Sequence, residues 1–266
     1  MEAELTMFWA FDHLVHFVAS PDEAKHVFQR KGFRTVKGGS HENWGTHNAL
    51  CYFQEFKYIE WIGLSQPLLA EKADNPLIRQ IVRDAKDGEG FSQLAFRVEN
   101  TEQMAEVLRQ RGLTPAGPFP GKRKKPDGSE ISWSMLFVED DLEDFRYPFF
   151  ICWENEEKRQ ASLLSFLDQG GKKPELTFIG FQTCEPGKPL QKFLHLFGMN
   201  ERSLVKGFDG FGHYLAFSPG NIELRFYKHE KGGRLGSSGR PFLCGISGTG
   251  ISETFRWKNS LYQLTP

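Results

Sequence analysis

The chain has 266 residues, 39% of them hydrophobic and 14% aromatic, with 25 phenylalanines, enough apolar material for one large packed domain or two smaller ones. Its 33 lysines and arginines nearly balance 34 aspartates and glutamates, so no global charge favours nucleic acid or an anionic membrane. No run of about 18 apolar residues and no basic-then-apolar leader is present, and Cys51, Cys152, Cys184 and Cys244 form no C-x-x-C pair, so the expectation is a soluble cytoplasmic protein with reduced thiols.

In chain order, strand-like Phe11 to Val18 leads into a helix capped by Ser20, with Pro21 in its first turn and Gly32 at its end. Phe33 to Lys37, Ala49 to Gln54 and Tyr58 to Gly63 follow as strands, which makes a β-α-β-β-β unit. The amphipathic stretch Asn75 to Asp87 reads as a connecting helix. The pattern then returns: F-S-Q-L-A-F-R-V at 91 to 98 is a strand, Thr101 caps a helix over Glu102 to Arg111, and Ile131 to Glu139 and Pro148 to Trp153 are strands. The basic run Lys122-Arg123-Lys124-Lys125 sits among Pro118, Pro120, Gly121 and Pro126-Asp127-Gly128. It reads as an exposed loop carrying solvated charge rather than a phosphate-binding patch.

A third, looser copy has a strand at Leu176 to Thr183, a helix at Pro189 to Leu196, and strands at His213 to Ser218 and Ile222 to Tyr227. The organisation expected is therefore paired modules over 8–155 (module 1 about 11–67, module 2 about 91–155), a linker at 156–175, and a divergent third module with a glycine-rich tail at 176–266. A repeat of this kind cannot bury its sheet alone. The third module needs either the tail, with candidate strands at Arg240 to Ile246 and Ile251 to Leu264, or a second subunit, which would make a homodimer.

The chemistry-bearing residues are ionisable groups inside apolar strands. His13 lies in F-D-H-L-V-H-F-V and Glu60 in Y-I-E-W-I-G, and two such residues that converge suggest a metal or acid/base site. Period-two alternation puts His13, Val15 and Phe17 on one face, and leaves His16 on the other as a packed, hydrogen-bonded histidine. In the second copy Gln93, Ala95 and Arg97 share a face. Arg97 then either enters the concavity beside His13, where it would suit a carboxylate or enediolate oxygen, or snorkels to solvent. Asn48 offers a donor and an acceptor for orienting a ligand, Thr46 reads as a turn former, and His41 and His47 flank the turn near the pocket mouth.

These motifs, together with G-G-S-H-E-N-W-G-T-H-N-A-L at 38 to 50 and P-F-F-I-C-W at 148 to 153, resemble the glyoxalase-like branch of the vicinal oxygen chelate superfamily over most of residues 10 to 155. The resemblance implies an α+β fold in which repeated β-α-β-β-β modules form a curved, cup-like mixed sheet with helices on its outer face. It also implies a divalent metal, such as zinc, nickel or manganese, held by the first and last strands of each module. By position the ligands would be His13, Glu60, Gln93 and Cys152, with Cys152 standing where a second glutamate is expected or serving as a small apolar filler. The function expected is a metal-dependent lyase or isomerase acting on a small oxygenated metabolite, with Glu60 as ligand and base and with Arg97 and Asn48 orienting the substrate. The other reading is a metal-free cup that sequesters an aromatic or apolar molecule among Trp44, Phe53, Trp61, Trp133 and Phe150.

Overall fold

The computed structural model describes residues 9–139, 145–167, 173–228 and 239–266. Residue 8 at the head of the paired modules, 168–172 of the linker and the glycine-rich 231–238 lie outside them. The first module comprises β1 (Trp9–Phe17), α1 (Pro21–Arg30), β2 (Thr35–His41), β3 (Thr46–Tyr52) and β4 (Tyr58–Leu64). Ser20 starts α1 as expected, its hydroxyl accepting from the Glu23 amide at 3.2 Å. A short helix, α2 (Pro67–Ala70), and α3 (Pro76–Asp87) connect to the second module: β5 (Gly90–Val98), α4 (Thr101–Gln110), β6 (Pro115–Lys124), β7 (Glu130–Val138) and β8 (Phe149–Trp153). Here Asn100 rather than Thr101 is the cap, since its side-chain oxygen takes the Gln103 amide.

The eight strands close into a barrel in the order β1-β4-β3-β2-β6-β7-β8-β5. Within each module the first and last strands run parallel, and β1 and β5 join the modules antiparallel. The expected α+β cup is thus present, and its sheet bends until β2 meets β6 through the single pair Ser40 and Lys124. The basic run does not form the exposed loop expected of it: β6 carries it through Lys124. Pro118 and Pro120 are tolerated because β6 is almost an edge strand on its β2 side.

Helix α3 enters the barrel. Its N-terminus is fixed by the Asn75 side chain, which accepts from the Leu77 and Ile78 amides, and its apolar stripe of Leu77, Ile78 and Ile81 packs inside against Val15, Phe17 and Phe149. The first part of the linker range 156–175 is a helix, α5 (Glu156–Leu167).

The rest of the chain repeats the strand plan. β9 (Glu175–Thr183), α6 (Gly187–Leu196), β10 (Val205–Asp209), β11 (Gly212–Phe217), β12 (Glu223–Lys228), β13 (Pro241–Ser247), β14 (Glu253–Trp257) and β15 (Ser260–Leu264) form a sheet in the order β10-β11-β12-β9-β13-β15-β14. β9 with β12 and β13 with β15 are parallel, and β9 with β13 is antiparallel, as in the barrel. Residues 248–252 alone separate β13 from β14, where the barrel module places a helix and a strand, so this sheet has seven strands and stays open. The tail therefore supplies the third module's complement from within the chain.

The outer face of the barrel, with α1 and α4, packs on α6 and one face of the second sheet as a continuous core. Phe28 of α1 joins the layers, its ring 4.6 Å from Trp61 and 4.9 Å from Tyr262. His16 is the packed histidine expected, Nδ1 lying 2.6 Å from the Tyr262 hydroxyl. None of the four cysteines forms a disulfide. Among the described residues no helix is long and apolar enough to cross a membrane.

Candidate functional site

The site begins with an irregularity in β1. Phe11 pairs with Phe96 and His13 with Ala95, so Asp12 is an extra residue that the β5 ladder does not match. Such a bulge lets neighbouring side chains that would otherwise diverge lie on one face. Asp12 Oδ1 is 2.7 Å from His13 Nδ1, and Asp12 Oδ2 accepts from Trp153 Nε1 at 3.1 Å, Arg97 Nη1 at 3.2 Å and Arg159 Nη2 at 3.5 Å. Burial opposes ionisation of Asp12, but Arg159, His13 and Arg97 outweigh it and hold this carboxyl well below the usual carboxylate range.

A carboxylate on Nδ1 fixes the imidazole tautomer: Nδ1 carries the proton and Nε2 presents its lone pair to the cavity. Facing it is Glu60 Oε2, at 3.6 Å. Glu60 Oε1 accepts from Asn48 Nδ2 at 2.5 Å, and Asn48 Oδ1 lies 3.4 Å from Arg123 Nη1. Tyr58 stacks on the His13 ring at 4.5 Å and Phe149 meets it edge-on. Gly38 is required beside this row, since a Cβ there would stand 1.9 Å from Asn48 Oδ1 and 3.1 Å from Arg123 Nη1.

The space these groups share is about 30 Å³, room for a water or a small planar group, and Leu77 and Ile78 of α3 line it as well. A larger outer chamber of about 570 Å³, lined among others by Asn43, Lys122, Ser132 and Glu154, adjoins it. His41, Trp44 and Trp133 border both. His41 is locked by the Thr46 hydroxyl at 2.8 Å, and burial, followed by the charge of Arg123, pushes it down to about 3, so it stands neutral in this wall.

Of the residues expected at the site, His13, Glu60 and Asn48 come together. Gln93 does not join them: its amide is spent on Gln80 Oε1, the Tyr147 carbonyl and the Leu94 amide. Arg97 reaches the neighbourhood only through Asp12 and Glu156, so it steadies Asp12 rather than facing a ligand. Cys152 lies on the opposite face of β8, with Sγ 3.1 Å from the Glu99 carbonyl and open to the outer chamber. The cause is register. Pairing of Val15 with Gln93 and of His13 with Ala95 defines a pseudo-twofold that carries His13 onto Gln93 and Glu60 onto Phe149, so matching Trp61 to Trp153 sets β8 on the wrong face. Of the aromatic set, Trp44 and Trp133 line the cavities, while Phe53, Trp61 and Phe150 belong to the core outside the barrel.

Three residues of the site have no counterpart in the sequence reading, the first being Asp12 beside His13. Arg159 lies in the range read as a linker, and Arg123 in the run read as solvated; alternation along Lys122-Arg123-Lys124, with only the middle residue buried, is the signal that marks β6.

The donor set bears on the expected metal. Among the described residues no three His, Cys, Asp or Glu side chains are grouped to hold an ion. His13 Nε2 and Glu60 Oε2 are two donors where an open catalytic site has three, and a guanidinium lines the same cavity. The residues present do not fit a resident zinc, nickel or manganese ion.

Residues 11–181 match the glyoxalase-like domain family, and the chain belongs to it. Among solved structures it is similar to a hypothetical protein from Staphylococcus aureus, with a TM-score of 0.80 at 19% identity, over 97% of this chain and 100% of that one. Methylmalonyl-CoA epimerase from Mycobacterium tuberculosis is matched with a TM-score of 0.39 at 18% identity, over 57% of this chain and 91% of that one. Comparison with curated proteins finds no match.

Proposed function

We propose that this chain is a lyase or isomerase that moves a proton on a small oxygenated metabolite without a resident metal. The observation that carries the reading is the buried row Asp12, His13, Glu60 and Asn48, of which His13, Glu60 and Asn48 line one cavity. Asp12 holds the His13 tautomer and favours the imidazolium that forms when Nε2 takes a proton, while Glu60 is a second base across the same space. A carbon next to a carbonyl would give its proton to Glu60, its electron pair moving to the carbonyl oxygen. Return of that proton from the Glu60 carboxyl to the neighbouring carbon would complete an isomerisation; its passage across the 3.6 Å gap to His13 Nε2, which then protonates the same carbon, would complete an epimerisation.

The test is incorporation of solvent deuterium next to the carbonyl of short hydroxy- and oxo-compounds, followed by proton NMR. Exchange lost in His13→Gln and Glu60→Gln, each folded by circular dichroism, is the expected result; exchange that survives both substitutions overturns it. Metal analysis of untagged protein prepared without chelator should find far less than one ion per chain. Near-stoichiometric zinc, nickel or manganese that disappears in His13→Ala and Glu60→Ala would restore the metalloenzyme reading.

A sequestering role is the second reading, favoured by the way Leu77 and Ile78 fill the barrel and leave little room for a reacting molecule. Saturable binding without exchange of any proton would support it.

A further inference from the structure

We propose that Arg123 is the anchor for a carboxylate of the ligand, which makes the substrate class of this site small carboxylic acids bearing an oxygen on the adjacent carbon. This deepens the reading of the barrel as a small-molecule site and rests on it. Arg123 is 8% exposed, yet among the described residues no carboxylate lies within ion-pairing distance of it, and its Nε has no hydrogen-bond partner. The Tyr52 hydroxyl beside it is pushed up by burial and stays neutral, so it does not compensate the charge. The other buried arginines are compensated: Arg159 has Asp12 and Glu156, and Arg240 has Asp84 and the Phe91 carbonyl. A buried charge without its counter-ion is strongly unfavourable, so a guanidinium left this way at a cavity wall is poised for an anion that arrives with the ligand.

The negative charges nearby are already committed. Asp12 is held by Arg159 and Arg97, and Glu60 accepts from Asn48. Asn48 stands between Glu60 and Arg123, donating to the first and offering the second only a long 3.4 Å contact that a ligand oxygen can replace. A planar carboxylate matches both the guanidinium fork and the 30 Å³ space, whereas a phosphate is larger and calls for more donors than one arginine supplies. With its carboxylate on Arg123, such an acid presents its adjacent carbon to His13 and Glu60, which line the same cavity, and its remaining atoms to the outer chamber past Trp44 and Trp133.

The experiment uses the full chain and two readouts, tryptophan fluorescence and thermal melting. The probes are glycolate, lactate and pyruvate, the neutral amides of the same acids, sulfate and inorganic phosphate. Saturable quenching and a raised melting temperature with the acids but not the amides are expected. In Arg123→Met the apparent Kd should rise at least tenfold, while the ligand-free protein melts no lower than the wild type because an uncompensated charge has been removed. Arg123→Lys should fall between the two. Acids and amides acting alike, sulfate or phosphate binding more tightly than the acids, or Arg123→Met binding as well as the wild type would each overturn the assignment. Acids that bind through Arg123 without exchanging a proton would retain this inference and sink the enzymatic reading. Exchange that is equally fast with the neutral amides would do the reverse.

Discussion

Replacing Asp12 with asparagine tests whether the charged row is structural as well as chemical. Asp12 is fully buried and accepts from Trp153, Arg97 and Arg159 as well as holding His13 Nδ1. The amide keeps one acceptor but turns a donor toward groups that are all donors, and it leaves Arg97 and Arg159 sharing Glu156 alone. Removing one partner of a buried charge pair costs about 3–5 kcal/mol. For a chain of this length each kcal/mol lowers Tm by roughly 2–4 °C, so a loss of about 6–20 °C is expected at neutral pH. The effect should depend on pH in a defined direction. A carboxyl whose folded pKa lies below its unfolded value binds fewer protons when folded, so its contribution is complete above about pH 4 and fades as the pH falls below that. Urea titrations of both proteins between about pH 7 and pH 2.5, which brackets the ordinary carboxyl range, provide the measurement. A difference under about 1 kcal/mol at pH 7, set against the range expected for a buried pair, or one that does not shrink in acid, would refute the argument. Arg159→Met in the Asp12→Asn background should recover part of the loss, because it removes one of two guanidinium groups then left to a single carboxylate, Glu156.

Gly38→Ala should abolish carboxylate binding while the protein remains folded, since its Cβ would occupy the place of the Asn48 oxygen; unchanged binding on fluorescence titration would contradict this. His41, held neutral down to about pH 3, binds a proton in the unfolded chain below about pH 6.5, so its contribution is complete above that value and falls with acidification by up to about 1.4 kcal/mol per pH unit. His41→Gln should flatten the stability profile between about pH 6 and pH 4 in denaturant melts, the window between those two values. Phe28→Ala, which opens the layer between α1 and the second sheet, should cost about 3–5 kcal/mol. It should also lower one cooperative calorimetric transition, whereas two separate transitions would show that the barrel and the second sheet unfold independently. Leu77→Ala should enlarge the inner cavity and favour branched over short acids in the binding assay, at a stability cost of about 2–5 kcal/mol.

Much of the barrel is legible in the sequence because alternation and helix caps are local. Ser20, the period-two faces of β1 and the recurrence of F-D-H-L at F-S-Q-L place the modules, and through them His13, Glu60 and Asn48. Features that depend on register are not local. Nothing in the order F-F-I-C-W along β8 reveals that Cys152 points outward; that follows from how Val15 meets Gln93 and Ala95 meets Phe149. The bulge at Asp12 is invisible for the same reason, although the aspartate beside His13 is plain to read. Arg123 is obscured by its neighbours: prolines, glycine and lysines suggest solvent, and only closure of β2 onto β6 turns the middle residue inward.

The open second sheet has a consequence for how substitutions spread through this chain. Eight strands can enclose a chamber and seven leave it open here, so one half retains a walled interior while the other is a curved platform under α1 and α4. Sequence drift at Val205 and Phe208, exposed on the edge strand β10, touches no cavity lining among the described residues. The barrel lacks that freedom, because Gly38, Asn48 and Trp133 each border a space with no slack. Divergence within the family should therefore be uneven, fast on the platform's free rim and slow around the chamber, and a library of random variants sorted for folding and then for ligand binding would separate the two regions.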